Sequence, residues 1–567
     1  MFSKCRPHVS SLQPSPPETS DPNGSPVDNI HLSEAEAYNR AFYHSGPLGQ
    51  LLLIMLIAFL SLLMFAFSLE GITSQFNMIA ASSFGMHSEI GAINTASEII
   101  NGISKPFMGK IADLTSRPVA YIITLVFYGV GYAVAASCTN MASYVVGVAL
   151  TSVGKAGLHL LCLIIIGDLT TLQWRGLWDS LAVSPDLITV FINGFISNGF
   201  IPDKWRWGLG MFAIMMPALL APTVLILFSV QHRGPAMEKS AAGGAAGKTK
   251  TSLSSSIHKV WQGLIAIDLP GLILMGFAFS LILLPLSLAE NAKGGWNNPS
   301  MIAMELVGWV ILGIFIVFEI FLAPNPIMAK HIIKNKVFLL ALGANLFDQM
   351  TTAIGSNYFP SYIYIIKDWS NYSWTVFTSV RSLSLVTFSI LYGLVQAKFH
   401  RYKKLMVVGS IIKVIGYSAF LTTHNRSSTS TGTLAIAQIL TGISAFTDVG
   451  SRVAAQASVP HEDMASVLAS YFLWSYIGRA AGNSIASSVW TSKMLQYMRE
   501  ECPPDIPEKT LRDIYGSIKV LRTDYSPQSP IREGAIRAYR RTNGIIFIIA
   551  ACVAVVPVIC SLFMPGE

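Results

Sequence analysis

Apolar blocks long enough to cross a lipid bilayer recur along the whole chain, and no other feature narrows its possible folds as much. Spanning the hydrocarbon core takes about 20 consecutive apolar residues. Leu48 to Leu69, Pro118 to Ser137 and Gly544 to Phe563 each meet that length. Lipid offers no hydrogen-bond partner, so every backbone N–H and C=O must be satisfied within the segment, and each block must be a helix. Fourteen are counted, near 48–70, 88–111, 118–137, 143–166, 177–200, 207–230, 267–289, 300–322, 337–364, 373–396, 405–423, 432–450, 464–490 and 543–563. The second, fifth, ninth and thirteenth are the least apolar, and a helix polar on one face lines an interior or a cavity. Only 12% of the 567 residues are charged, against about a quarter in a soluble domain. The expected class is an all-α polytopic membrane protein.

Charge orients the stack. The loops near Lys110 and Arg117, Arg233 to Lys259, Lys330 to Lys336, and Lys398 to Lys404 are basic, whereas Gly71 to His87 and Cys138 to Ala142 carry no Lys or Arg. The positive-inside rule puts the basic set and both termini in the cytosol. The net charge of +8 is therefore a topology signal, and no nucleic-acid partner is expected. Sequons at Asn371 and Asn425 then fall outside. Residues 1–46, rich in Pro, Ser and acids without an apolar core, read as a disordered cytosolic tail and not as a cleavable signal peptide. Helices 1–6 occupy 47–230, a Gly/Ala/Ser/Lys-rich cytosolic linker 231–263, helices 7–13 residues 264–491, a long outer loop 492–542, and the last helix with a short cytosolic end 543–567. Two bundles joined by such a linker suit a rocking carrier with its site at the midplane. The six cysteines are too scattered for a metal framework, and neither a metal nor a cofactor is expected. Cys138 and Cys502 are both placed outside, where they could pair.

The segment Gly109-Lys-Ile-Ala-Asp113-Leu-Thr-Ser-Arg117, directly after the second span, resembles the major facilitator signature. In that signature a glycine lets helices approach and an acid and a base form a cytosolic latch, here Gly109, Asp113 and Arg117. An ordinary cytosolic loop is the plain alternative. Further segments resemble the fungal siderophore–iron transporter family in order along nearly the whole chain. They include Ala80 to Ser88, Lys105 to Asp113, Gly167-Asp168 to Gly176, Trp205 to Phe212, Ile267-Asp268 to Leu274, Asp348 with Asn357-Tyr358-Phe359, and Arg532 to Tyr539.

The resemblance implies a major facilitator fold with about 14 transmembrane helices. It also implies a proton-driven importer of a ferric hydroxamate siderophore, not an enzyme, acting as a monomer in the plasma membrane or an endosomal vesicle. Some relatives carry haem and some exchange glutathione for protons, so those readings stay open. A drug antiporter would typically show a repeated-glycine run on helix 5, where this chain has Leu181-Ala-Val-Ser-Pro185-Asp186. A facilitator fold that senses a nutrient without moving it is the alternative of another class. No P-loop is present, which argues against direct use of ATP.

Ionisable residues inside a bilayer are costly and functional by default. Glu98, Lys155, His159, Asp348, Arg381 and Arg479 are such residues. Lys155 and His159, four apart, share a helix face. Glu98 is expected to pair with Lys155, and Asp348 with Arg381 or Arg479. A set of fixed, mutually neutralising pairs is the competing reading. Asp348 or Glu98 would carry the coupling proton, with His159 as a possible helper. A bulky, roughly neutral, oxygen-rich chelate calls for amides and aromatic rings. On the polar faces of helices 2, 5, 9 and 13 these are Asn94, Asn101, Asn193, Asn345, Gln349, Tyr358, Tyr471 and Trp474. In the last outer loop Tyr515, Tyr525, Arg532 and Tyr539 are expected to gate the entrance.

Overall fold

A computed structural model describes residues 46–169, 178, 180–242, 268–323, 326–328, 330–399, 403–422, 430–459 and 464–565. Contacts group the chain into two units, Met1–Leu53 with Ser229–Ala246, and Ile54–Phe228 with Gly247–Glu567. Everything below concerns the second. Among the described residues there is no strand.

The counted blocks all fall on helices among the described residues. These are α1 (Gln50–Ser83), α2 (Ile90–Leu114), α3 (Arg117–Ser137), α4 (Met141–Leu169), α5 (Asp186–Phe200), α6 (Trp205–Ala242), α7 (Leu269–Leu288) and α8 (Pro299–Leu322). There follow α9 (Lys336–Ile366), α10 (Asn371–Gln396), α11 (Lys403–Thr422), α12 (Thr431–Ala457) and α13 (Met464–Glu501). Two short helices, α14 (Glu508–Gly516) and α15 (Ile518–Thr523), precede α16 (Pro530–Phe563). Twelve are long and apolar enough to cross a membrane. The two counted blocks outside that twelve are α2 and α13, of 25 and 38 residues. Their length is ample, since 38 residues rise about 57 Å. What lowers their hydropathy is their content of polar residues, among them Glu98 and Lys105 on α2 and Arg479 and Asn483 on α13.

Several boundaries move. The first span continues through a 3-10 turn, Glu70–Ile72, to Ser83, so most of the expected outer loop 71–87 is helical. Helix α6 runs to Ala242, into the expected linker, and the linker from 243 to 263 lies outside the described residues. The outer segment 492–542 is helical at both ends, α13 reaching Glu501 and α16 starting at Pro530. The Asn371 sequon amide donates to the Ile201 carbonyl at 2.9 Å, and Asn425 lies outside the described residues.

Helix α3 packs along α4 through glycines, because a side chain at the contact would hold the backbones apart. A Cβ on Gly154 would come within 2.7 Å of the Tyr128 backbone. The more polar contact is α2 against α13, antiparallel along most of their lengths. There the Thr95 and Ser484 hydroxyls meet at 3.1 Å.

At one end of the helices α14 and α15 form a lid. Lys519 pairs with Asp203 at 2.7 Å, and Arg522 donates to the carbonyls of Tyr364 and Trp369. Buried Arg532 holds Asp368 and the Tyr525 carbonyl, each at 3.2 Å. Beneath the lid Tyr358 stacks on Trp490 with ring centroids 4.2 Å apart, and Tyr539 meets the same indole edge-on at 5.0 Å. His87 is wholly buried beside them, its Nδ1 3.1 Å from the Ser82 hydroxyl, and burial lowers its pKa to about 3. Burial likewise raises the Tyr515 phenol to about 12. Cys138 and Cys502 are both free thiols.

Candidate functional site

Within this bundle lies a cavity of about 800 Å³, inside the usual range of about 300–1,000 Å³ for ligand pockets. The four helices expected to line a cavity all do so, joined by α1, α3, α4, α6, α10, α11 and α12. No described residue of α7, α8 or α16 belongs to its wall. The sequence reason is periodic. On α2, Asn94, Glu98, Asn101 and Lys105 recur at steps of three and four and so share a face. On α13, Tyr471, Ser475, Arg479 and Asn483 do the same, and all eight face the cavity.

The charged residues pair differently from expectation. Glu98 does not reach Lys155; its carboxylate takes Arg479 Nε at 2.9 Å, joining α2 to α13. Lys155 instead pairs with Glu70 at 2.7 Å, and Glu70 also accepts from the Tyr132 hydroxyl. Asp348 meets neither Arg381 nor Arg479. Its partner is Lys413 of α11 at 2.8 Å, with the two side chains 2% and 1% exposed. Lys413 also donates to the Asp348 carbonyl at 2.7 Å and the Thr352 hydroxyl at 2.9 Å. That pair stands behind the cavity wall, whereas Arg381 lines it.

Lys155 and His159 do share a cavity-facing side of α4. His159 Nδ1 lies 2.9 Å from Lys105 Nζ, and that ammonium sits 4.2 Å from the Phe472 ring centroid and 4.8 Å from that of Tyr476.

The expected cargo-facing residues divide. Asn94, Asn101, Asn193, Gln349 and Tyr471 line the cavity. Asn94 donates to Asn357 at 2.7 Å and Gln349 to Asp448 at 3.0 Å, while the Tyr471 hydroxyl donates to the Asp448 carbonyl at 3.0 Å. Asn345, Tyr358 and Trp474 do not line it. Asn345 is buried between α9 and α13 on the Ser475 hydroxyl. Tyr358 belongs to the stack under the lid. Trp474 turns away, its indole N–H on Met328 Sδ at 3.2 Å and its ring against Phe279 of α7. Tyr515, Tyr525, Arg532 and Tyr539 all sit in or directly under the lid, none of them on the cavity wall.

Of the expected latch, Gly109 packs on α4, where a Cβ would come 3.2 Å from Leu160 Cδ2. Arg117 opens α3, and the Asp113 side chain lies outside the described residues. Sequence reasoning passed over Glu70, Lys105 and Lys413 as site residues. The rule that marked Glu98 would have found Lys413, an ionisable group inside an apolar block. Glu70 and Lys105 were obscured by lying near the ends of their spans.

Residues 51–483 match the model of the Major Facilitator Superfamily. The chain is 52% identical, over 94% of its length and 84% of the other's, to a siderophore transporter of Zymoseptoria tritici. It is 36% identical to the low affinity heme transporter str3 of Schizosaccharomyces pombe, over 87% of this chain and 78% of that one. It is 34% identical to the siderophore transporter fer7 of Mycosarcoma maydis, over 94% and 83%. Among solved structures, a POT family transporter in complex with 5-aminolevulinic acid superposes with a TM-score of 0.53 at 12% identity, covering 90% of this chain and 96% of that one. The helix arrangement is that of the fold, and the sequence shows the membership: the chain belongs to the Major Facilitator Superfamily and, within it, to the fungal siderophore–iron transporter family.

Proposed function

We propose that this protein imports a ferric siderophore, drawn inward by the proton gradient. The observation that carries the reading is the cavity wall. Glu70 with Lys155 and Glu98 with Arg479 pair within it, and amides, hydroxyls and rings that suit a bulky, oxygen-rich chelate make up much of the rest, beside Lys105, Asp186, Arg381, Asp448 and Arg452. The 52% identical relative named as a siderophore transporter supports the same cargo.

Coupling falls to Glu98 in this reading. Its ion pair with Arg479 ties α2 to α13, one helix from each half. A proton on Glu98 removes the charge that holds Arg479, loosening a contact that the halves must break to expose the site alternately. Asp348, sealed against Lys413 behind the wall, serves better as a fixed structural charge. Gly109, Asp113 and Arg117 act as the cytosolic latch, Tyr515, Tyr525, Arg532 and Tyr539 as parts of the outer gate, and the carrier works as a monomer with both termini in the cytosol.

The test is iron-55 uptake from several ferric siderophores in cells that lack their own carriers, with and without a protonophore. Uptake of at least one chelate should collapse with the protonophore. Glu98→Gln should reach the surface normally yet lose accumulation by about tenfold or more, the scale of one charge-assisted contact. No uptake of any chelate by surface-exposed protein would sink the reading. The 36% identical relative named as a heme transporter makes hemin the competitor to include.

A further inference from the structure

Lys105 has a place in the cavity wall that the pairs described so far do not explain. Its side chain is 1% exposed, yet it faces the cavity together with His159, Phe472 and Tyr476. Among the described residues no carboxylate lies within ion-pairing distance of it. The nearby acids are engaged elsewhere, Glu98 with Arg479 and Glu70 with Lys155. Among the described residues its one hydrogen bond is to His159 Nδ1 at 2.9 Å. An ammonium only donates, so a protonated Lys105 donates its hydrogen bond to that ring nitrogen. The two flanking rings, with centroids 4.2 and 4.8 Å away, offer their negative faces.

Neutral partners of this kind hold a buried cation in position without cancelling its charge. A buried charge without a counter-ion is strongly unfavourable. The surroundings add to the deficit, because five basic side chains line the cavity against four acidic ones. The wall therefore carries one more basic than acidic side chain, and Lys105 sits beside a polarisable surface that suits a flat or apolar body.

We propose that Lys105, oriented by His159, is the counter-charge for a carboxylate carried by the iron-chelate cargo. This rests on the siderophore reading and narrows it from neutral chelates to anionic ones. The cargo enters with its carboxylate toward Lys105, its body beside Phe472 and Tyr476, and its chelating oxygens toward the amides of α2 and α9. Both a carboxylated ferric chelate and a haem propionate have this chemistry, and the experiment separates them.

The full-length protein is purified into lipid nanodiscs and binding is followed by tryptophan quenching. The probes are two ferric trihydroxamates built on one chelating core, one neutral and one bearing free carboxylates, together with hemin. Wild type should bind the carboxylated chelate about tenfold or more tightly than the neutral one, as a charge-assisted hydrogen bond implies. Lys105→Gln should weaken the carboxylated chelate far more than the neutral one and so abolish that preference, and Lys105→Arg should keep most of it. Lys105→Met, which retains the stem against the rings, is the second variant should the glutamine protein not fold.

Equal affinities in wild type, or a preference that survives the loss of the lysine, would overturn the proposal. So would an equal loss of both chelates, which marks a structural lysine. Hemin binding that falls in the variant, with neither chelate bound, would keep the subsite, assign the carboxylate to haem and overturn the siderophore reading. No binding of any probe by protein with an intact unfolding transition would overturn both.

Discussion

Lys413 and Lys105 are equally withdrawn from solvent, each 1% exposed, and are treated in opposite ways. Around Lys413 the protein supplies a carboxylate at 2.8 Å that balances the charge, and a carbonyl and a hydroxyl that accept its protons. Around Lys105 it supplies one imidazole nitrogen and two aromatic faces. The first lysine is finished by the fold and lies behind the wall. The second is left incomplete and faces the cavity. The difference teaches that burial alone does not mark a functional charge; what marks it is burial without compensation on a surface that a ligand can reach.

The largest effect expected from breaking this contrast is at the compensated lysine. Lys413→Met strands Asp348 in the interior and should destabilise the protein by about 3–5 kcal/mol, the usual penalty for removing one partner of a buried pair. Adding Asp348→Leu should restore most of that loss. Thermal or denaturant unfolding in nanodiscs reads both values, and a Lys413 variant of unchanged stability would erase the distinction drawn here.

At the uncompensated lysine the same substitution should act in the opposite direction. Lys105→Met keeps the aliphatic stem beside Phe472 and Tyr476 and removes a buried charge that has no counter-ion, so the protein should gain about 1–4 kcal/mol of stability. A loss as large as that at Lys413 would make Lys105 a structural residue.

The smallest effect belongs to an exposed pair on the lid, which sets the lower limit of the comparison. Glu508 accepts from Arg499, 2.5 Å away, and from Arg512. The Arg499 hydrogen bond, followed by the charges of both arginines, holds its carboxyl below the ordinary range. A depressed carboxylate contributes above its unfolded pKa and loses that contribution as pH falls through the folded value. Lid ordering should therefore be intact at neutral pH and weaken only below about pH 4. Arg499→Ala should bring the loosened state to neutral pH. Amide exchange across Glu508–Gly516, corrected for intrinsic rate, follows the change, and equal protection in both proteins at all pH values would count against the pair.

Much of the site was legible before any coordinates, for a definite reason. A helix repeats every 3.6 residues, so the alignment of Asn94, Glu98 and Asn101 on one face of α2 follows from their spacing. The low hydropathy of α2 and α13 was legible too, and these are the helices that pair across the cavity. Partners were not legible. Glu98 and Lys155 lie in the same half, which made them a natural pair on paper, yet the antiparallel contact of α2 with α13 presents Arg479 first. Trp474 shows the same limit. Three residues from Tyr471 on one helix, it turns to α7 while Tyr471 meets the cavity.

By itself the sequence determined that this chain lives in a membrane as a bundle of long helices, with polar faces on particular ones. A bilayer leaves a backbone no other choice, and helical periodicity is local. Only the tertiary structure decided which charges cancel and which remain. That choice depends on which faces of separate helices meet, and so on packing between segments distant along the chain. Lys413 is buried against its carboxylate and Lys105 against two rings and an imidazole because α9 meets α11 and α2 packs on both α13 and α4.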